Sequence, residues 1–248
     1  MDFKDKKILI TGGNSGIGLA TAKAFAEQGA SVAICGRSKV KLDSALNELG
    51  SRAMGAVVDI TSTDAIRRFV NSVADEYKQI DAIVASAGGA VVRPFESVDE
   101  TLFDEDLGRN FKGAYFTAQA ALPFLSDGGS IVFIGSAAGS KGFAGMSVYG
   151  PAKAALRDLA RVLTAELSPR KIRVNVVSPG PVPTPGMDRL GLPDEELEAV
   201  KQGFAGMVPL GRMGSVEEIA AAVQFLCSDT SGFITGAEIA VDGGMAQI

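Results

Sequence analysis

Short runs of consecutive apolar residues alternate with longer stretches of helical periodicity along nearly the whole chain. That alternation restricts the fold more than any other feature. Residues 7–11, 31–35, 53–58, 81–86, 130–134, 172–177 and 238–241 read as strands. Residues 17–28, 40–49, 61–77, 98–107, 110–125, 148–167 and 216–226 read as helices. Gly29 and Gly50 stand where the first two helices should stop. On the third, Ile66, Phe69, Val70 and Val73 share one face, with Ser62 or Thr63 as cap. Strands that are apolar throughout, joined by helical crossovers, need both sheet faces covered. They therefore imply an α/β fold: a doubly wound parallel sheet of about seven strands with helices on both faces. No repeat or low-complexity linker divides the chain, so residues 1–248 read as a single domain. The exception to the alternation is 179–214, which holds six of the ten prolines. Within it, 181–213 reads as an excursion over a site.

The first strand leads into Thr11-Gly12-Gly13-Asn14-Ser15-Gly16-Ile17-Gly18. Glycines at such a junction permit a tight turn and let backbone amides approach a pyrophosphate. The helix that follows offers unpaired N–H groups and the positive end of its dipole. The bland alternative is a glycine-rich turn with no ligand. The lack of a Lys-Ser/Thr pair after the glycines argues against a phosphate-binding P-loop. The second strand ends in Cys35-Gly36-Arg37-Ser38, without the acid that would hold a ribose 2′-hydroxyl. Arg37 can meet a 2′-phosphate bidentately and Ser38 can add a hydroxyl, so NADP(H) is expected over NAD(H). The alternative for Arg37 is a solvated surface side chain.

Composition now narrows the chemistry. The chain has no histidine and only two cysteines. Ser-His-Asp and Cys-His catalysis, HExxH metal sites and four-thiolate clusters cannot be built, and no metal is expected. A net charge of −5 argues against nucleic acid. Two cysteines suggest a reducing, cytoplasmic setting, and neither a signal peptide nor a membrane-length apolar run is present. Acid–base work is left to Tyr, Lys, Asp, Glu or a thiol. Tyr149 and Lys153 stand at i and i+4, on one face of the helix after the strand that ends at Gly135-Ser136. A lysine ammonium held near a phenol should lower the phenol's pKa toward neutrality. The Ser136 hydroxyl could bond a substrate oxygen as charge develops on it.

Together these motifs resemble the short-chain dehydrogenase/reductase family over essentially the whole length, which implies a Rossmann-type fold. Thr11-Gly12-x-x-x-Gly16-x-Gly18 matches the family's cofactor turn, with Asn14, Ser15 and Ile17 inside it. Asp59 matches the adenine contact, with Ile60 beside it. Ser136, Tyr149 and Lys153 match the catalytic trio at spacings of 13 and four residues, and Asn110 matches the fourth member. Pro179-Gly180, Val182 and Thr184 match the segment that holds the nicotinamide carboxamide and phosphates, and 241–244 is also typical. The resemblance implies that Tyr149 exchanges a proton with a carbonyl or alcohol oxygen. Ser136 would polarise that oxygen. Lys153 would tune the tyrosine and bind the nicotinamide ribose. Asn110 would hold a water behind Lys153, although as the first residue of a helix it could equally be a cap. The resemblance further implies a small carbonyl or alcohol substrate and a homotetramer. Two departures stand out. Ala85-Ser86-Ala87-Gly88 replaces the family's Asn-Asn-Ala-Gly, and Pro151-Ala152 replaces Ala-Ser before the lysine.

The excursion carries Met187, Leu190, Leu192, Phe204, Met207, Val208 and Leu210. These would form either an apolar lid over substrate or a packing and subunit surface. The leading expectation is a ketone or aldehyde reductase, reversible as an alcohol dehydrogenase, with a 3-oxoacyl thioester reductase as the alternative within that class. A catalytically silent dinucleotide-binding scaffold is the alternative from another class. A lyase, isomerase or dehalogenase would be expected to alter the cofactor turn or nicotinamide segment.

Overall fold

The computed structural model describes residues 1–185 and 194–248. Its strands are β1 (Lys7–Thr11), β2 (Ser31–Gly36), β3 (Ala53–Val57), β4 (Ile80–Ala85), β5 (Leu125–Ile134), β6 (Arg173–Pro179) and β7 (Glu238–Val241). All pair in parallel, in the order β3-β2-β1-β4-β5-β6-β7. The inner strands are buried on both faces, whereas the edge strands β3 and β7 are half-exposed. This is why the inner strands read as unbroken apolar runs.

The helices are α1 (Gly16–Glu27), α2 (Lys39–Leu49), α3 (Thr63–Tyr77), α4 (Glu100–Leu107), α5 (Gly113–Ala121), α6 (Tyr149–Leu167), α7 (Asp194–Gly206) and α8 (Val216–Cys227). On one face of the sheet, Phe25 of α1, Leu42 of α2 and Ile219 and Val223 of α8 pack on Ile10, Ile34 and Val84. On the other, Phe69 and Val70 of α3, Ala118 of α5 and Leu156 of α6 pack on Leu9, Ile83 and Phe133. Each such large side chain, fully buried, contributes roughly 1.5–3 kcal/mol. Ser62 caps α3 by accepting from Ala65 N–H.

Register aligns the carboxyl ends of the strands, with Thr11 opposite both Cys35 and Ala85 and Ile134 opposite Val177. The order reverses between β1 and β4, so a crevice opens there, where doubly wound sheets hold their ligands.

Two elements differ from expectation. The helices expected at 98–107 and 110–125 form one continuous run, Glu100–Ala121. A π turn at Gly108–Lys112 joins its halves, and Gly113 N–H reaches back to Gly108 O. Asn110 therefore opens no helix and caps none. The run then ends early, because Pro123 lies in a 3-10 turn at Leu122–Phe124. β5 starts at Leu125, paired with Ile80, and its register shifts before Ala82.

In the excursion, Val208 is buried against Ala137 and Met245, with Phe143 alongside. Phe204 is half-buried, while Met207 and Leu210 are exposed. Met187, Leu190 and Leu192 lie outside the described residues.

Candidate active site

The glycine turn after β1 is built for close approach. Gly12 and Gly16 take positive φ, at 69° and 53°. A Cβ on Gly12 would sit 2.9 Å from Ala87 Cα, and one on Gly18 would meet Gly12 O at 2.3 Å. Only hydrogen fits at either place. Ser15 stands at the N-terminus of α1 without donating or accepting a side-chain cap, so its hydroxyl leaves the first-turn amides to other partners. Thr184 faces the same turn, its Cβ 3.4 Å from where a Gly16 Cβ would be. Thr11 Oγ1 accepts from Ala87 N–H at 3.2 Å and ties the loop after β4, Ser86-Ala87-Gly88, to the turn after β1. The result is a backbone-lined cradle with a helix N-terminus at its base. These features fit a pyrophosphate.

The residues expected to meet adenosine, Arg37, Ser38, Asp59 and Ile60, lie beside the carboxyl ends of β2 and β3. Arg37 is exposed. Ser38 Oγ accepts from Lys41 N–H as the cap of α2, which leaves its own O–H free to donate. Asn14 packs over Gly36, where any Cβ would strike its carboxamide, and its amide points toward Ser38 O at 3.5 Å. Asp59 Oδ1 accepts from Thr61 N–H and Oγ1 at 2.9 and 2.8 Å. These bonds hold its carboxyl below the usual carboxylate range, with Arg37 and Arg109 adding to the effect. Ile60 is buried in the core under Gly113 of α5. Val182 is likewise buried, in the opposite core. Gly180 follows Pro179, donates to Val241 O at 3.0 Å and presses on Asp242, leaving no room for a Cβ.

Ser136, Tyr149, Lys153 and Asn110 converge beyond the end of β5. Tyr149 begins α6, so its ring sits at the helix mouth, and Pro151 occupies the first turn, where a missing N–H costs little. The Ser136 hydroxyl accepts from Ala138 N–H at 3.1 Å and lies near enough to the Tyr149 phenol to favour its ionised form. Lys153 lies one turn further on. It is 4% exposed, donates to Ile134 O at 2.8 Å, and places Nζ 5.7 Å from the Tyr149 ring centre. Asn110 is buried. Its amide donates to Gly89 O at 3.1 Å, and to Asp106 O and Oδ1 at 3.0 and 2.8 Å; its Oδ1 accepts from Gly89 N–H at 2.9 Å. Asn110 thus fastens the loop after β4 to the π turn. A Cβ on Gly88 would lie 2.7 Å from Asn110 Oδ1 and 3.3 Å from Lys153 Nζ, so both polar atoms face one point.

The electrostatics depart from the expected lysine-depressed tyrosine. Burial pushes the Tyr149 phenol above its ordinary range; the Ser136 hydroxyl opposes this and the nearby Asp106 adds to it. Burial also drives Lys153 down to about 8, against the pull of Asp106. The ammonium is turned to the Ile134 carbonyl and is itself desolvated, so burial outweighs pairing at both residues.

Across residues 12–246 the sequence matches the family described as Enoyl-(Acyl carrier protein) reductase. It is 40% identical over 246 residues to oxidoreductase asL5 of Sarocladium schorii, covering 98% of this chain and 96% of that protein. It is 35% identical over 250 residues to the 3-oxoacyl-[acyl-carrier-protein] reductase FabG of Thermotoga maritima, covering 99% of each. A short-chain dehydrogenase/reductase from Serratia marcescens superposes with a TM-score of 0.90 at 30% identity, covering 99% of this chain and 100% of that one. The chain belongs to the short-chain dehydrogenase/reductase family. It is an oxidoreductase of that type, and membership implies a nicotinamide dinucleotide cofactor.

One residue of this short-chain dehydrogenase/reductase escaped the sequence reading. Asp106 is 2% exposed, inside the polar cluster and bonded to Asn110. In Phe103-Asp104-Glu105-Asp106 it reads as part of a solvated acidic face. The available signal was its i−4 spacing from Asn110, which puts the two on one side of a helix.

Proposed function

We propose that this chain reduces ketone or aldehyde carbonyls to alcohols with NADP(H), and runs the reverse reaction, as one continuous dinucleotide-binding and catalytic domain in a cytoplasmic homotetramer. One observation supports this above the others: Tyr149 at the start of α6 and the buried Lys153 one turn on lie together, with Lys153 Nζ facing Gly88 of the loop that packs on the glycine cradle. The cofactor, when bound, supplies or takes the hydride. Ser136 donates a hydrogen bond to the carbonyl oxygen, and Tyr149 passes its phenolic proton to that oxygen as it becomes an alkoxide. The Lys153 ammonium has two N–H donors beyond the one on Ile134 O, and its charge steadies the phenolate that remains. Asn110 keeps the loop after β4 closed on this group. Val208, clustered with Met245 and with Ala137 next to Ser136, would wall the substrate side.

The test is a panel of ketones and aldehydes with NADPH, followed by cofactor oxidation. Turnover is expected on hydrophobic carbonyls. Tight NADPH binding with no turnover on a broad panel would favour a silent scaffold. A second reading, 3-oxoacyl thioester reduction, draws support from the Thermotoga relative. Of Arg93, Arg109, Arg157 and Arg161, which are scattered in sequence, the last three pair with acids of this chain and Arg93 donates to Val92 O, which argues against a dedicated basic docking surface. A 3-oxoacyl thioester in the same panel separates the two.

NADP(H) selectivity is assigned to Arg37, exposed beside the cap of α2. Replacing it with alanine removes a charge-assisted bidentate contact worth about 2 kcal/mol. The NADPH-to-NADH ratio in kcat/KM should fall about thirtyfold, and an unchanged ratio would refute the assignment.

A further inference from the structure

Asp106 is the buried charge that the tyrosine–lysine chemistry does not by itself require. Its carboxylate lies at the end of α4, where α4 and the π turn pack against α6. Oδ1 accepts from the Asn110 amide at 2.8 Å. Across the π turn, Arg109 Nε stands 3.8 Å from Oδ1. Asn110, which Asp106 bonds, and Lys153 of α6 turn their polar atoms to one point at Gly88, and Lys153 Nζ is in turn 5.7 Å from the Tyr149 ring centre, so a single side chain separates the carboxylate from the tyrosine–lysine pair. On its own helix Glu105 is exposed and pairs with Arg109, and Asp59 reaches the group only through Arg109. Burying a carboxylate is costly unless it is bonded and faced by cations, and both conditions hold here. A purely structural tie to Asn110 would have needed only a neutral acceptor such as an amide oxygen.

We propose that Asp106 is a positioning residue of the proton-handling group: its buried carboxylate orients Asn110 and, by its charge, sets the pH at which Tyr149 and Lys153 release their protons. The sign follows from Coulomb's law. Burial raises the Asp106 carboxyl above the usual carboxylate range, against Arg109, the Asn110 hydrogen bond and Lys153; once ionised, its negative charge favours the protonated form of each neighbour, so Asp106 raises both the phenol and the ammonium. The two shifts have the same direction and do not cancel in the coupled titration of the pair. Asp106 thereby offsets part of the desolvation that would otherwise strip Lys153 of its charge near neutral pH.

This inference rests on the reductase reading, and its test is chosen so that the two can fail separately. Asp106→Asn keeps the acceptor toward Asn110 and the volume, and removes only the charge. In carbonyl reduction, which needs the proton on Tyr149, the alkaline limb of log kcat/KM should move about one unit toward acid. At low pH, kcat should stay within about tenfold of the unmodified chain. Asp106→Glu keeps the charge, so its limb should remain in place even if kcat drops. Asp106→Ser removes the same charge from a smaller side chain and serves if the Asn variant does not fold. A readout independent of turnover is the ultraviolet titration of tyrosine in ligand-free protein, with Tyr149→Phe subtracted to isolate one phenol. The Tyr149 component should titrate about one unit lower in Asp106→Asn. A limb and a phenol titration that both stay put overturn the proposal. Absence of turnover in the unmodified chain overturns the reductase reading instead, and leaves the phenol titration to decide about Asp106.

Discussion

Tyr149→Phe is expected to lower kcat/KM for carbonyl reduction by about a thousandfold, with NADPH affinity changed less than about threefold. A positioned general acid contributes roughly 10²–10⁴-fold, and the Lys153 ammonium, a turn deeper in α6, is held on Ile134 O. The chain holds no histidine that could stand in. Ser136 cannot replace the phenol either, because a free hydroxyl is a far weaker acid. The substitution removes one hydroxyl and keeps the ring, so stability should change by no more than about 1 kcal/mol. Loss of rate with retained folding and retained cofactor binding is therefore the signature. Steady-state kinetics, cofactor titration and thermal denaturation on one preparation measure all three. Activity that survives within tenfold would mean that Tyr149 is not the acid, and that Ser136 and Lys153 form a binding site of another kind.

The fold was legible because burial leaves a direct imprint on sequence. The inner strands are covered on both sides and so read as runs without alternation, and α3 shows its buried stripe at Ile66, Phe69, Val70 and Val73. What escaped was set by contacts distant in sequence. Leu125 joins β5 through a single pairing with Ile80 ahead of a register shift. The intervening Ser126-Asp127-Gly128-Gly129 reads as a turn. The π turn at Gly108–Lys112 carries no composition of its own; it swings Asn110 toward Gly89 and so acts at long range.

The site divides along the same line. Glycines whose missing Cβ is required by neighbouring backbone are visible as a motif, and so are Tyr149 and Lys153 at i and i+4. The ionisation of that pair is not visible, because it depends on how much protein lies around it. From sequence a nearby lysine should depress the tyrosine. In the fold, Lys153 spends a hydrogen bond on Ile134 O, and burial dominates both groups. Asp106 was hidden for the converse reason: among Asp104 and Glu105 it looks solvated, and only the packing of α4 and the π turn against α6 buries it.

Lys153→Met should cost about a hundredfold or more in kcat/KM and should remove a pH dependence as well as lower a rate. Methionine matches the length of the lysine stem and suits a buried position, so the helix and core should survive. What disappears is the charge that steadies the Tyr149 phenolate. Lys153 titrates near 8, so its ammonium is present below that pH and lost above it. In carbonyl reduction kcat/KM should therefore fall as pH rises through about 8, since the phenolate left behind loses its counter-charge. The Met variant has no ammonium to lose. Its profile should be low and flat through that window, bending only where Tyr149 itself deprotonates, above its ordinary range. Parallel pH profiles of the two proteins, with circular dichroism at each end of the range, make the comparison. If both profiles bend at the same pH near 8, the inflection belongs to another group, and Lys153 does not set the working range of the site.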